Sequence, residues 1–368
     1  MTEQTVHFCR GIPPVAAIPA EELAEHTAAV LAEYGPAVFQ YPPIGRFLGN
    51  PSLREHLATK HGVDPDGVLV TNGSLQALDL VAAHLLRGAN RLVYVERPTY
   101  DRAARILERH GAQVVSIPME ADGLDVGELG RRMRDQVPSF LYTIPDFQNP
   151  TGISLHADKR RELVALAETR GFSIVEDIPY RELRFAGATP PGLWEMAGGA
   201  RVITIGSLSK ILSPGLRVGY VLTDSDTAAQ LAGFAENVYL SPVPLTQAVA
   251  ARALATGLVE STVEHAVEML RPRHDAAVRA VLADLGDALM CVPNGGYYLG
   301  VELALDEGED VFLKRAHGDG VVLTPGSAFY NTRDDHARRD RSFFRLPFQS
   351  LSPAEFRTGV HRLAALTR

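Results

Sequence analysis

Between residues 68 and 205 the chain carries six short apolar runs, at 68–70, 92–95, 114–117, 140–144, 172–175 and 202–205, rich in Val, Ile and aromatic residues. None alternates apolar with polar, so each predicted strand has both faces covered. Amphipathic stretches separate most of them, including one from about Ser74 to Leu86 and one ending at Gly111. Continuous apolar strands alternating with helices point to a buried, mainly parallel sheet flanked by helices, so the expected fold class is α/β. From about residue 245 the pattern changes. A long helical region reaches about Leu285, followed by a Pro293-Asn294-Gly295-Gly296 turn, short strands near 297–301 and 343–346, and a closing helix after Pro353. This part predicts a smaller α+β domain, with no flexible linker or internal repeat before it.

In such sheets ligands bind outside the carboxyl ends of the strands. The polar residues to watch are therefore Thr71-Asn72-Gly73-Ser74, Glu96-Arg97-Pro98-Thr99-Tyr100, Pro145-Asp146-Phe147-Gln148-Asn149, Glu176-Asp177 and Gly206-Ser207-Leu208-Ser209-Lys210. Composition sharpens the last of these. Of 36 basic residues only Lys60, Lys159, Lys210 and Lys314 are lysine. Lys60 falls at a predicted helix end, where a cation meets the helix dipole favourably. Lys159 and Lys314 each precede an arginine on polar helical stretches, and all three read as surface lysines. Lys210 instead follows a buried strand and runs into Ile211-Leu212. A lysine desolvated there loses its charge easily, and a neutral amine forms a Schiff base. Arg217, in Pro214-Gly215-Leu216-Arg217-Val218-Gly219, suits a bound dianion such as a phosphate.

Gly73 and Ser74 supply a second half for such a site. Gly73 admits close backbone approach, and Ser74 begins a helix whose free N–H groups favour an anion, although the plainer reading of such a turn is a helix cap. Asp177 ends a buried run and wants a cationic partner, which a protonated pyridine nitrogen would provide; the alternative is a cap or a surface acid. Asn149, in Asn149-Pro150-Thr151-Gly152, reads as a turn starter, or could share one phenolate oxygen with Tyr180.

Other chemistries lack their residues. With 44 Asp+Glu, a formal net charge of −8 and a pI near 5.9, nucleic acid is not an expected partner. The clusters Arg131-Arg132-Met133-Arg134 and Arg338-Arg339-Asp340-Arg341 read as solvated faces. Cys9 and Cys291 make neither a disulfide framework nor a zinc site. No secretory signal or run of membrane-spanning length occurs, so a cytoplasmic protein with no membrane partner is expected. There is no G-x-G-x-x-G after a strand, no G-K-[ST] loop and no H-E-x-x-H. Ser207-Leu208-Ser209-Lys210 is formally the S-x-x-K of acyl-serine enzymes, but the K-T-G that accompanies it there is missing.

Taken in order, N-P-T-G, D-x-x-Y, S-x-S-K and G-x-R-x-G resemble the fold-type-I pyridoxal 5′-phosphate (PLP) enzymes, specifically the class I/II aminotransferases. The versions here are most similar to the branch that contains 2-aminoadipate aminotransferases and the aminotransferase-like half of MocR regulators. The resemblance runs from about Tyr41 to Arg345. It implies an N-terminal segment (1–40) packing on the small domain and active site, a large PLP-binding domain (41–255) and a small C-terminal domain (256–368).

Carried onto this sequence, the resemblance implies that Lys210 holds PLP as a Schiff base and moves the substrate proton. Asp177 would pair with the pyridine nitrogen, while Asn149 and Tyr180 bind the ring oxygen. Gly73, Ser74, Leu75, Ser207, Ser209 and Arg217 would form the phosphate cup, with Tyr100 stacking on the ring. Tyr41 would reach the phosphate of a neighbouring subunit, which implies a homodimer. Arg345, in Phe344-Arg345-Leu346-Pro347-Phe348, would grip the substrate α-carboxylate together with Asn149, and Gly11 and Ile12 would close over the substrate. Two features depart from the branch: Leu75 replaces a frequent polar residue, and two prolines follow Tyr41 ahead of an insert at 45–49. The expected activity is amino transfer between an L-amino acid and an α-keto acid. A PLP lyase, by β-elimination or decarboxylation, would use the same residues. A non-catalytic sensor of the regulator kind ranks last, because the enzyme-like region begins within the first dozen or so residues.

Overall fold

The computed structural model describes residues 5–42, 48–331 and 341–367. Positions 45–47 of the insert and 338–340 of the second basic cluster lie outside the described residues. The strand β1 (Val6–Phe8) stands apart from the main sheet. The main sheet comprises β2 (Val68–Thr71), β3 (Leu92–Arg97), β4 (Gln113–Glu120), β5 (Gly123–Leu124), β6 (Phe140–Thr143), β7 (Ser173–Asp177), β8 (Val202–Ser207) and β9 (Gly219–Leu222). Its order is β2-β9-β8-β7-β6-β3-β4-β5. From β8 to β4 every pair is parallel, whereas β9 runs antiparallel to both β2 and β8.

Hydrophobic residues pack on both faces of this sheet, which is why its strands read as unbroken apolar runs. Within β3, Val93 and Val95 join the larger cluster while Leu92 and Tyr94 join a second one on the other face. The helices are α1 (Ala20–Tyr34), α2 (Pro51–His61), α3 (Ser74–Leu85), α4 (Asp101–Arg109), α5 (Val126–Arg132), α6 (Ala157–Arg170), α7 (Leu193–Ala197), α8 (Ser225–Tyr239), α9 (Pro244–Ala255) and α10 (Leu258–Leu285). After α10 come β10 (Tyr298–Leu303), α11 (Glu309–Gly318), β11 (Val321–Leu323), β12 (Ser342–Pro347) and α12 (Pro353–Leu366). Local chemistry sets several of these ends. Asn50 caps α2 through Leu53 N, and Gly62 ends it in the left-handed region; Ser352 and Glu355 form a reciprocal capping box on α12. The long helical region expected from about 245 to 285 is two helices, because Gly257, at φ +74°, starts a new one.

Two pairings bring distant chain to the site. β1 runs parallel to β11, with Phe8 opposite Leu323, and so carries residues 9–12 over the sheet edge. β10 and β12 are antiparallel, with Gly300 opposite Arg345. Among the described residues no helix is long and apolar enough to cross a membrane, and no group of His, Cys, Asp and Glu could hold a metal ion.

Candidate active site

The carboxyl ends of β2, β3, β6, β7 and β8 share one edge, where a cavity of about 500 Å³ opens. Ser74, Leu75, Tyr100, Asn149, Asp177, Tyr180, Ser207, Ser209, Lys210, Arg217, Arg345, Gly11 and Ile12 all line it. A larger groove of about 1010 Å³ lies elsewhere, between α11 and α12, and contains none of these residues.

Asp177 closes β7 and is buried. Tyr142 Oη donates to its Oδ2 at 2.8 Å, while Oδ1 is buried with no hydrogen-bond partner. Burial pushes this carboxyl up to about 7, against the opposing pulls of Tyr142 and Lys210. A buried carboxylate oxygen without a donor is costly, and it marks a place for a cationic N–H. Lys210 lies three residues beyond β8. Its Nζ donates to Gly11 O at 2.9 Å and sits 5.9 Å from the ring centroids of both Tyr180 and Tyr297. Burial, then the Arg345 and Arg217 charges, pull its pKa down to about 8, with Asp177 opposing.

The antiparallel strand β9 explains the anion-binding corner. Its register sets Gly219 opposite Thr71, so Arg217, two residues earlier, reaches Asn72 O (3.2 Å from Nη2) and Pro214 O (3.3 Å from Nη1). Gly73 caps α3 at φ +91°, and a Cβ there would collide with the Arg217 guanidinium. Ser207 Oγ accepts from Ser209 N at 3.1 Å. Guanidinium, hydroxyls and the amino end of α3 together make an anion cradle.

Arg345, on β12, is buried. Its Nη1 donates to Asn149 Oδ1 at 2.8 Å and its Nη2 to Cys9 O at 2.7 Å. The guanidinium lies over the rings of Phe329 (4.7 Å) and Tyr298 (4.9 Å), and its Nε has no partner. Tyr180 Oη meets Tyr298 Oη at 3.0 Å. Two expected residues do not line the cavity: Gly73, which abuts the Arg217 guanidinium beside it, and Tyr41, which is 76% exposed on its own chain.

Several structural partners were not singled out by the sequence reading. Tyr142 sits within an apolar run, and only its place on the strand beside Asp177 gives it a role. Glu96, Asp146 and Gln148 fall in the strand-end sets but carry no motif of their own. Asp146 is fully buried against Arg160, itself fully buried on what reads as a polar helix.

These features fit pyridoxal phosphate group by group: Asp177 Oδ1 for the ring nitrogen, the Arg217 corner for the phosphate, and a readily neutralised Lys210 for the carbonyl carbon. Fold and site thus define a PLP-dependent enzyme of fold type I, an aminotransferase. The chain belongs to the aminotransferase class I and II family, whose model matches residues 4–363. It is 32% identical to the 2-aminoadipate transaminase of Thermus thermophilus, over 97% of this chain and 88% of that one. It is 30% identical to aromatic-amino-acid aminotransferase 1 of Thermococcus litoralis, over 99% of this chain and 88% of that one. A kynurenine aminotransferase of Pyrococcus horikoshii, solved with PMP and kynurenine, superposes with a TM-score of 0.91 at 29% identity, over 100% of this chain and 91% of that one.

Proposed function

We propose that this aminotransferase moves an amino group between an L-amino acid and an α-keto acid with Lys210, Asp177, Tyr180, Asn149, Arg217 and Arg345 as its working residues. The observation that carries the assignment is the buried, unpartnered Oδ1 of Asp177 in the same cavity as Lys210. Bound PLP supplies an electron sink that acidifies the substrate Cα–H. Asp177 holds a negative charge against the ring nitrogen, and Tyr180 and Asn149 hydrogen-bond the ring oxygen. The Arg217 corner, with Gly73, Ser74, Leu75, Ser207 and Ser209, binds the phosphate, and Tyr100 covers the ring. Arg345 takes the substrate α-carboxylate in a two-pronged grip, for which its Nη2 leaves Cys9 O. Lys210 Nζ, which gives up its charge far more readily than an ordinary lysine, accepts the proton leaving Cα. Gly11 and Ile12 exclude water above it.

An amino acid panel offered with 2-oxoglutarate tests the reaction: formation of glutamate is expected. Release of pyruvate and ammonia without any keto acid would overturn amino transfer in favour of elimination.

The working unit is a homodimer in which the partner copy supplies Tyr41. Support comes from apolar side chains left exposed on one chain: Val15, Phe39, Tyr41, Val238 and Val243. They lie near α1, on the segment after it and around the α8–α9 junction, and α1 packs against α9. Exposed apolar residues gathered on adjoining elements suit an interaction face. Light scattering is expected to give twice 39.9 kDa; a monomer at micromolar concentration would defeat this.

A further inference from the structure

Glu96 lies close below the site, is buried, and takes part in none of the steps above. Three donors converge on its carboxylate: Thr143 Oγ1 at 2.5 Å, Gln148 Nε2 at 3.0 Å and Ile144 N at 3.2 Å. Burial pushes this carboxyl up to about 7, and the three hydrogen bonds pull against that rise. Gln148 extends the network in two directions. Its Nε2 also donates to Pro98 O at 2.8 Å, two residues before Tyr100. Its Oε1 accepts from Thr151 N (3.0 Å) and Thr151 Oγ1 (2.7 Å), so one side chain spans Asn149 and Pro150. Thr151 O then accepts from Gly300 N at 3.0 Å, and Gly300 stands opposite Arg345. Arg345 closes the circuit on Asn149 Oδ1.

We propose that Glu96 and Gln148 form a brace that sets Tyr100, Asn149 and Arg345 relative to one another, which makes Glu96 a positioning residue for cofactor stacking and for the substrate carboxylate. The inference rests on the roles given to those three residues above. Ile144 N and Gln148 Nε2 can only donate and share Oε2, whereas Thr143 Oγ1 meets Oε1 and its hydroxyl can also accept. A glutamine with its oxygen in the Oε2 place and its N–H₂ toward Thr143 would keep the hub; a leucine of similar length would leave two buried N–H donors with no acceptor. In a buried, closed network one such mismatch displaces its neighbours rather than being solvated. Asp177, which ends β7, and Lys210, three residues beyond β8, lie outside the circuit, so the brace bears on binding more than on proton transfer.

Glu96→Gln keeps the acceptor and should leave PLP affinity and KM near wild type, whereas Glu96→Leu is expected to weaken PLP binding to the apoenzyme about tenfold and raise the amino-acid KM about tenfold, the scale of one hydrogen bond to a charged group. The kcat of the loaded enzyme should stay within about threefold of wild type, since the proton-moving residues keep their geometry. Thr143→Val removes a donor to the same carboxylate from a residue that carries neither arm. It should lower Tm while leaving KM and PLP affinity near wild type. Thr151→Val removes one of the two donors to Gln148 Oε1 and leaves Thr151 N, so it should raise KM by a smaller factor; it stays informative should Glu96→Leu fail to fold. Unchanged KM and PLP affinity in Glu96→Leu, or equal KM shifts in Thr143→Val, would overturn the brace. Failure of wild type to develop the visible band of lysine-bound PLP would overturn the site reading beneath it.

Discussion

Lys210→Ala is expected to lose the visible absorbance band of lysine-bound PLP and to lower kcat by on the order of 10⁴-fold, since covalent attachment and proton transfer fail together. Arginine is no substitute, because a guanidinium does not give up its proton in proteins. The wild-type apoenzyme offers a matching pH test. Burial chiefly, aided by Arg345 and Arg217, lowers the Lys210 pKa from 10.5 to about 8. Below that value the amine is mostly protonated and cannot attack; above it the amine is mostly neutral. The rate at which the band appears on adding PLP should thus climb with pH and level off just above 8, well before an ordinary lysine would. The same band in Lys210→Ala after removal of free PLP, or a wild-type rate still climbing through pH 10, would refute the assignment.

Asp146→Ala should unfold the protein more readily without disarming it. Asp146 receives Arg160 Nη2 at 2.7 Å, Arg181 Nη1 at 2.9 Å and Arg184 Nη2 at 3.4 Å, and both Asp146 and Arg160 are fully buried. Removing the carboxylate leaves the Arg160 charge unpaired in a low-dielectric interior, a loss of about 3–5 kcal/mol. For a chain of this length that corresponds to a fall in apparent Tm of roughly 4–7 °C, readable by calorimetry. Asp146 does not line the cavity, so the visible band should persist below the new Tm. Asp158→Ala is the natural contrast: its partner Arg161 and Asp158 itself are largely exposed, and such pairs contribute about 0–1 kcal/mol. Equal Tm values for the two variants would show that the buried cluster carries no special weight.

What the sequence disclosed and what it hid follow a physical division. The sheet was legible because burial on both faces leaves unbroken apolar runs, and the chemistry was legible because it sits in turns directly after them. β9 was harder to see: it follows the Arg217 turn closely and runs against its neighbours, yet it is what swings Arg217 beside Gly73. Arg160 was hidden for a different reason. Helical position gives no sign that an arginine between Lys159 and Arg161 points inward, since the carboxylate that draws it in lies 14 residues earlier. Glu96 and Gln148 were visible as polar residues at strand ends, but their partnership joins segments 52 residues apart. Tyr41 was assigned by resemblance, and on a single chain it is exposed, so only the state of assembly in solution can test the role proposed for it.

The pairing of β1 with β11 also dictates when the enzyme can become complete. Cys9 Sγ donates to Val322 O across 313 residues, and the carbonyl of Cys9 is held by Arg345, later still. At a translation rate of about 5–20 residues per second, the first strand waits roughly 16–60 s for its partner to leave the ribosome. The main sheet, finished with β9, can collapse during that interval. The segment that roofs Lys210 cannot settle until β11 and Arg345 of β12 are made, so the nascent large sheet presents its lysine uncovered, and cofactor capture can precede closure of the roof.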